Sequence, residues 1–313
     1  MADLQHRLER LGFPKGIDPL SSFGPGTRAA VEAFQHRRGL RVDGICGPQT
    51  WTALVEAGFQ LGDRFLYRRS PVLRGDDIAE LQQRLGALGF DTGRVDGIFG
   101  DQTSAALGEF QRNVGLPVDN IAGADTVREL LRFGTRHDDA TELVTSVRDR
   151  ERLRQAPRTL TGRTVAIGEE GGLSAPLTAL RRLLLAQGST VVPLHHPDGS
   201  VLAAEANAVG AAVFIGLRVG RDGDRCTTAY YAGYRYSSPG GRRLAELIQR
   251  SVCDTLGLAD GGSRGMALPL LRETRMPAVI CEISPPTVLV ERAPAVAGAM
   301  VAALADWAAA AWD

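Results

Sequence analysis

The chain has 313 residues, 44% hydrophobic and 23% charged, with a formal net charge of zero. That is the make-up of a globular protein long enough for two or three cored domains. Charge also balances in each half, 22 basic against 22 acidic side chains over 1–158 and 14 against 14 over 159–313, so neither half offers the basic field that nucleic acid or an anionic membrane needs.

The first residues, Met1 to Arg7, lack the apolar core of a secretory signal, and cytoplasmic residence is expected. Cys46, Cys226, Cys253 and Cys281 stand far apart without a Cys-x-x-Cys pair, which fits free thiols in a reducing compartment. From Leu4 onward the chain repeats itself. Phe34-Gln35 recurs as Phe110-Gln111, 76 residues later. At the same offset Phe23-Gly24 matches Phe99-Gly100, Gly39-Leu40 matches Gly115-Leu116, and Val42-Asp43 matches Val118-Asp119. Leu11-Gly12-Phe13 matches Leu88-Gly89-Phe90 after a slip of one residue. One offset shared by so many pairs marks duplicated modules.

Each copy predicts three short helices. Leu4, Leu8 and Leu11, and in the second copy Ile78, Leu81, Leu85 and Leu88, recur at spacings of three and four and share one helical face. The middle helix opens at Pro25, a residue suited to the first helical position, and carries Ala30, Val31 and Phe34 as its apolar stripe. Val42-Asp43-Gly44 and Val95-Asp96-Gly97 read as turns, and Gly47-Pro48 opens a third helix containing Trp51 and Leu54. This pattern resembles the peptidoglycan-binding modules found beside many cell-wall hydrolases. The resemblance rests on the Leu-Gly-Phe turn, on Asp-Gly-Ile-Phe-Gly-x-x-Thr at Asp96 to Thr103, and on the Phe-Gln pair. It sets modules at 1–62 and 72–135. Most of these motif residues are turn and core types, so the scaffold could serve glycan or protein. Residues 136–158, with charge alternating in sign from Arg148 to Arg154, predict a solvated linker helix.

Residues 159–313 predict alternating strands and helices. Apolar or β-branched runs at 164–167, 191–194, 211–217, 227–231 and 278–283 read as strands. Helices are expected at 177–185, 201–209, 242–256 and from about 293 to 312. The last is Ala-rich and carries Asp306, which suits a core helix better than a membrane span. The alternation argues for an α/β domain with a mostly parallel sheet.

The wording of this half resembles the zinc-dependent N-acetylmuramoyl-L-alanine amidase family. Ala206-Asn207 ahead of Ala211 to Ile215, Tyr230-Tyr231 followed by Ser238 and Leu244-Ala245, Arg264-Gly265, Leu271-Arg272, and Met276 to Glu282 carry the likeness in order. The resemblance implies a His, Glu, His zinc site and a separate catalytic glutamate, which falls on Glu282. The chemistry departs from that pattern. The turn that carries the first histidine reads Ile167-Gly168-Glu169-Glu170-Gly171-Gly172, and the last ligand position falls on Arg218. Arginine stays protonated and has no lone pair for a metal. Glu169 or Glu170 could replace only the glutamate ligand. His195 and His196 read as solvated loop histidines that cannot easily share one ion, because adjacent strand residues face opposite ways.

No resident metal or other cofactor is therefore expected. Zinc lowers its water's pKa from about 15.7 to about 7, roughly 12 kcal/mol towards hydroxide. A lone general base contributes about 10²–10⁴-fold, which does not offset that loss. Arg218 is expected to pair with Glu282 across the former metal position, with Arg272 facing the same cleft. Two modules and an amidase-like domain without its histidines resemble the actinobacterial CwlM-type group. That resemblance implies an inactive cytoplasmic regulator of peptidoglycan precursor synthesis, acting by contact with a protein partner, the enolpyruvyl transferase MurA. Binding of peptidoglycan or its precursor by the modules remains open. The alternative is an active amidase with an unusual metal site.

Overall fold

The computed structural model describes residues 1–133, 149–169, 171–220, 223–233 and 236–312. The chain divides into two units, one over Met1–Val147 with Tyr234–Tyr236 and one over Arg148–Gly233 with Ser237–Asp313.

The first unit holds six helices among its described residues: α1 (Ala2–Arg10), α2 (Pro25–Arg37), α3 (Pro48–Glu56), α4 (Asp76–Ala87), α5 (Asp101–Asn113) and α6 (Ala124–Phe133). Pro25 and Pro48 start α2 and α3, where the missing N–H is harmless. The repeated glycines end helices. Gly12, Gly39, Gly89 and Gly115 all have positive φ, and the residue after each returns an N–H to Leu8, Gln35, Leu85 and Gln111 respectively. This is the glycine-terminated turn that closes many helices. The turn also aims the motif phenylalanines inward. Phe13 meets Phe34 edge-on at 5.6 Å between ring centres, and Phe90 meets Phe110 at 5.8 Å. Leu8, Val31, Phe34 and Leu54 fill one core; Leu81, Leu85, Phe99, Leu107 and Phe110 fill the other.

A second regularity explains the Phe-Gln pairs. Gln35 is buried, donates to Asp43 Oδ1, Ile45 O and Thr50 Oγ1, and accepts from the N–H groups of Asp43 and Gly44. Gln111 makes the corresponding contacts to Asp119, Asn120, Ile121 and Thr126. Gln5 and Gln82, in α1 and α4, do the same for the preceding loops, reaching Thr27 and Thr103. Each module is thus pinned twice: a buried amide ties a turn to the first turn of the next helix.

The second unit is built on a six-stranded sheet of β1 (Thr164–Glu169), β2 (Thr190–His195), β3 (Val213–Val219), β4 (Arg225–Tyr231), β5 (Ala259–Met266) and β6 (Ala278–Ser284). The order is β2-β1-β3-β6-β4-β5. All neighbouring pairs are parallel except β4 with β6. Helices α8 (Ser174–Ala186), α10 (Pro239–Leu256) and α13 (Ala293–Ala309) cover one face, where Val165, Ile167, Ile215, Leu217, Cys281 and Ile283 join the core. Short α9 (Gly199–Ala208) and α11 (Pro269–Glu273) pack together by the other face. Helix α12 (Pro286–Glu291) precedes α13.

Two expectations change. The described part of the expected linker, helix α7 over 149–155 followed by non-helical residues 156–158, falls within the α/β unit, with Leu153 against its core; residues 136–148 lie outside the described residues. Strand β5 was not expected, because Ala-Asp-Gly-Gly-Ser-Arg-Gly-Met has no apolar alternation. Among the described residues no helix is long and apolar enough to cross a membrane.

Candidate functional site

Strand register decides which expected site residues can meet. Arg218 on β3 lies level with Glu282 on β6, and Glu282 lies level with Thr227 on β4. Partners at one level project to the same face of a sheet, so these three form a row across β3, β6 and β4. Arg218 Nη1 stands 4.0 Å from Glu282 Oε1. The side chains are 23% and 38% exposed. Glu282 is therefore not a buried carboxylate, and the pair lies at the outer limit of an ion pair, in partial contact with water.

The same face continues in both directions. One level towards the strand ends of β3 and β6 sits Ser284 beside Arg225; one level back, Gly216, Ile280 and Ala229 lead to Arg264 on β5. Gly261 beside this row is required by packing: a Cβ there would fall 2.3 Å from Thr227 Oγ1. Gly168 and Gly216 make room for the ring of Phe214, whose Cζ would be 2.5 Å from a Cβ on Gly168. Leu270 of α11 comes within 3.7 Å of a Cβ on Gly216, so α11 lies over this face. Arg272 is half-buried on that helix.

Glu169 takes a different place. It is level with Leu217, one residue short of Arg218, and so projects to the opposite face. Its carboxylate is 5% exposed, accepts the N–H of Leu173 at the entry to α8, and faces His195 Nδ1 at 3.1 Å. His195, 65% exposed, is thus tied to a buried carboxylate rather than loose in solvent. Its neighbour His196 accepts the N–H of Asp198 through Nδ1. Glu170 lies outside the described residues. The structure therefore brings Arg218 and Glu282 together, sets Arg272 on the helix above them, and removes Glu169 from their company.

This donor set does not fit a His, Glu, His zinc site. The Arg218 guanidinium beside Glu282 has no lone pair to offer a metal, and Glu169 is engaged on the other face. Among the described residues no three His, Cys, Asp or Glu side chains converge. Arg225, Thr227 and Arg264 are site neighbours that sequence reasoning missed. The period-two pattern Arg225, Thr227, Ala229 was a usable signal, whereas Arg264 sits in the unrecognised β5.

Comparison with known proteins agrees with the architecture. The family described as "Putative peptidoglycan binding domain" matches residues 1–54 and 74–130. The N-acetylmuramoyl-L-alanine amidase CwlM of Mycobacterium tuberculosis is 36% identical over 310 residues, covering 90% of this chain and 76% of that protein. The N-acetylmuramoyl-L-alanine amidase CwlL of Bacillus licheniformis is 35% identical over 150 residues, 41% of each. Among solved structures, the N-acetylmuramyl-L-alanine amidase of Mycobacterium smegmatis covers 48% of this chain and 98% of its own, at 12% identity and a TM-score of 0.42.

Proposed function

Because the chain belongs to the CwlM-type group of the N-acetylmuramoyl-L-alanine amidase family, with two peptidoglycan-binding-type modules before its amidase-like domain, we propose that it is a catalytically inactive member acting as a cytoplasmic regulator of peptidoglycan precursor synthesis. The single observation that carries the reading is Arg218 level with Glu282, 4.0 Å away. A permanently protonated side chain occupies a metal-ligand position and supplies charge without Lewis acidity. Glu282 keeps the place of the family's proton carrier but has no activated water to serve. The partner on this reading is a biosynthetic enzyme of the MurA type, and the modules supply a surface for that enzyme or for peptidoglycan and its precursors.

The test has two arms. Purified full-length protein is assayed for zinc content and for release of stem peptide from muropeptides; we expect neither stoichiometric zinc nor peptide. The protein is then titrated into the enolpyruvyl transferase reaction of its own cell, where a saturable change in rate is expected. Stoichiometric zinc with peptide release would instead establish the alternative, an active amidase with an unusual metal site, for which the retained Glu282 is the supporting feature. An unchanged transferase rate together with failure of the protein to co-purify with that enzyme would remove the regulatory partner.

A further inference from the structure

Residues on one face of the β3-β6-β4-β5 sheet make an uneven charge pattern. Arg218, Arg225 and Arg264 all project to it, and the register places one carboxylate, Glu282, among them. Strands about 4.8 Å apart, with about 3.3 Å of rise per residue, set the three Cα atoms roughly 12–16 Å from one another. Arginine side chains are long enough to span much of that interval, and apart from Ile280 the residues beneath them are small or hydroxylic. Ala229 and Thr227 lie between the arginines, Ser284 lies beside Arg225, and Gly261 leaves space for the Thr227 hydroxyl. Arg225 and Arg264 are exposed, and Arg264 donates to a carbonyl of its own turn, Gly261 O at 3.5 Å.

Among the described strand residues of this face, three guanidinium groups stand against one carboxylate, a local positive excess on a chain whose net charge is zero overall. Guanidinium forks match carboxylate and phosphate oxygens in pairs. Because Glu282 is partly exposed, a ligand can compete with it for Arg218 without opening the core. We infer that this face binds a small ligand carrying two or more anionic groups, phosphate or carboxylate. The inference rests on the reading above in one respect only: that the position beside Glu282 has passed from a metal to a guanidinium. It does not depend on any protein partner.

The experiment is calorimetric titration of the full-length protein, at low salt, with sodium pyrophosphate and separately with tricarballylate. Saturable binding of one or both is expected, and the tighter of the two assigns phosphate or carboxylate as the recognised chemistry. Arg218→Gln and Arg264→Gln should each weaken binding about tenfold, the effect of one lost charge-assisted contact. Glu282→Gln should tighten it, because the competing carboxylate is gone; a site serving proton transfer gives no reason for that gain. Circular dichroism of each variant confirms folding. Absence of binding by both anions overturns the inference, as does unchanged affinity in a folded Arg218→Gln, Arg264→Gln double variant or unchanged affinity in Glu282→Gln. No partner enzyme is present, so failure here is separate from failure of the regulatory reading.

Discussion

Replacing Gln35 by alanine should loosen the third helix of the first module while leaving its apolar core intact. The amide contacts five groups: Asp43 Oδ1 at 2.8 Å, Ile45 O and Thr50 Oγ1 at 3.0 Å, and the N–H groups of Asp43 at 3.1 Å and Gly44 at 2.9 Å. The contacts with Asp43 and Ile45 border solvent and can rehydrate. Those with Gly44 N–H and Thr50 Oγ1 are fully enclosed. Stranding a buried polar group costs about 1–3 kcal/mol. Thr50 keeps a fallback contact to Ile45 O at 3.3 Å, so about 2–5 kcal/mol is expected in all. Gln35→Glu should do at least as much harm, because a carboxylate cannot donate to the three acceptors. Hydrogen exchange by mass spectrometry on the full chain localises the effect. Peptides spanning 41–56 should lose at least tenfold in protection, at about 1.4 kcal/mol per decade. Those spanning 101–130 should not change. Protection within threefold of the parent at 41–56 would refute the reasoning.

Other measurements follow from the same geometry. Asp119 is held below the usual carboxylate range by the Ile121 N–H and the Gln111 amide, which together outweigh its burial; burial raises Asp43, but the Ile45 N–H, the Gln35 amide and Arg41 outweigh it, and the net shift is again downward. A depressed folded pKa stabilises above the unfolded value, near 3.9, and that contribution is lost as pH falls through the folded one. Denaturation midpoints of the modules should therefore drop below about pH 4, and Asp119→Asn should flatten the drop. Arg218→Ala should change urea stability by less than about 1 kcal/mol, since a partly exposed pair at 4.0 Å is worth little; a larger loss would mean that Glu282 is more dependent on its partner than the geometry allows. Burial pushes Cys253 up to about 11, and its hydrogen bond with Cys226, followed by burial, raises Cys281 well above its ordinary value. Half-buried Cys46 should accordingly react first with a thiol reagent at pH 7, and the other three only on unfolding, as intact-mass spectra would report.

The modules were legible because turn and core residues repeat at one offset. Their internal logic was less so. Gln35 and Gln111 stood out beside phenylalanine, but Gln5 and Gln82 hold loops of unequal length, and the slip of one residue hid their equivalence. The α/β half was legible where strands are apolar. Strand β5 escaped because an edge strand of glycine and polar residues carries no burial signal. For the site, the family resemblance was enough to expect Arg218 beside Glu282, yet not enough to place Glu169. Its side depends on pleat parity: one residue of register moves a side chain through the sheet. His195 was misjudged for a related reason, since its partner becomes adjacent only when β1 and β2 align at Glu169 and His195.

The buried glutamines also separate two kinds of position within each loop. The turns at 43–45 and 119–121 are fastened from inside, by an amide that reads mainly backbone groups and one aspartate. Val42, Ile45, Val118 and Ile121, by contrast, point into solvent. Sequence change at those tips leaves the fastening untouched, so the outer surface can drift, or be redesigned, without rebuilding the module beneath it. A library randomised at these four sites should consequently retain a high proportion of folded members, and the two modules of one chain are free to diverge in what they touch.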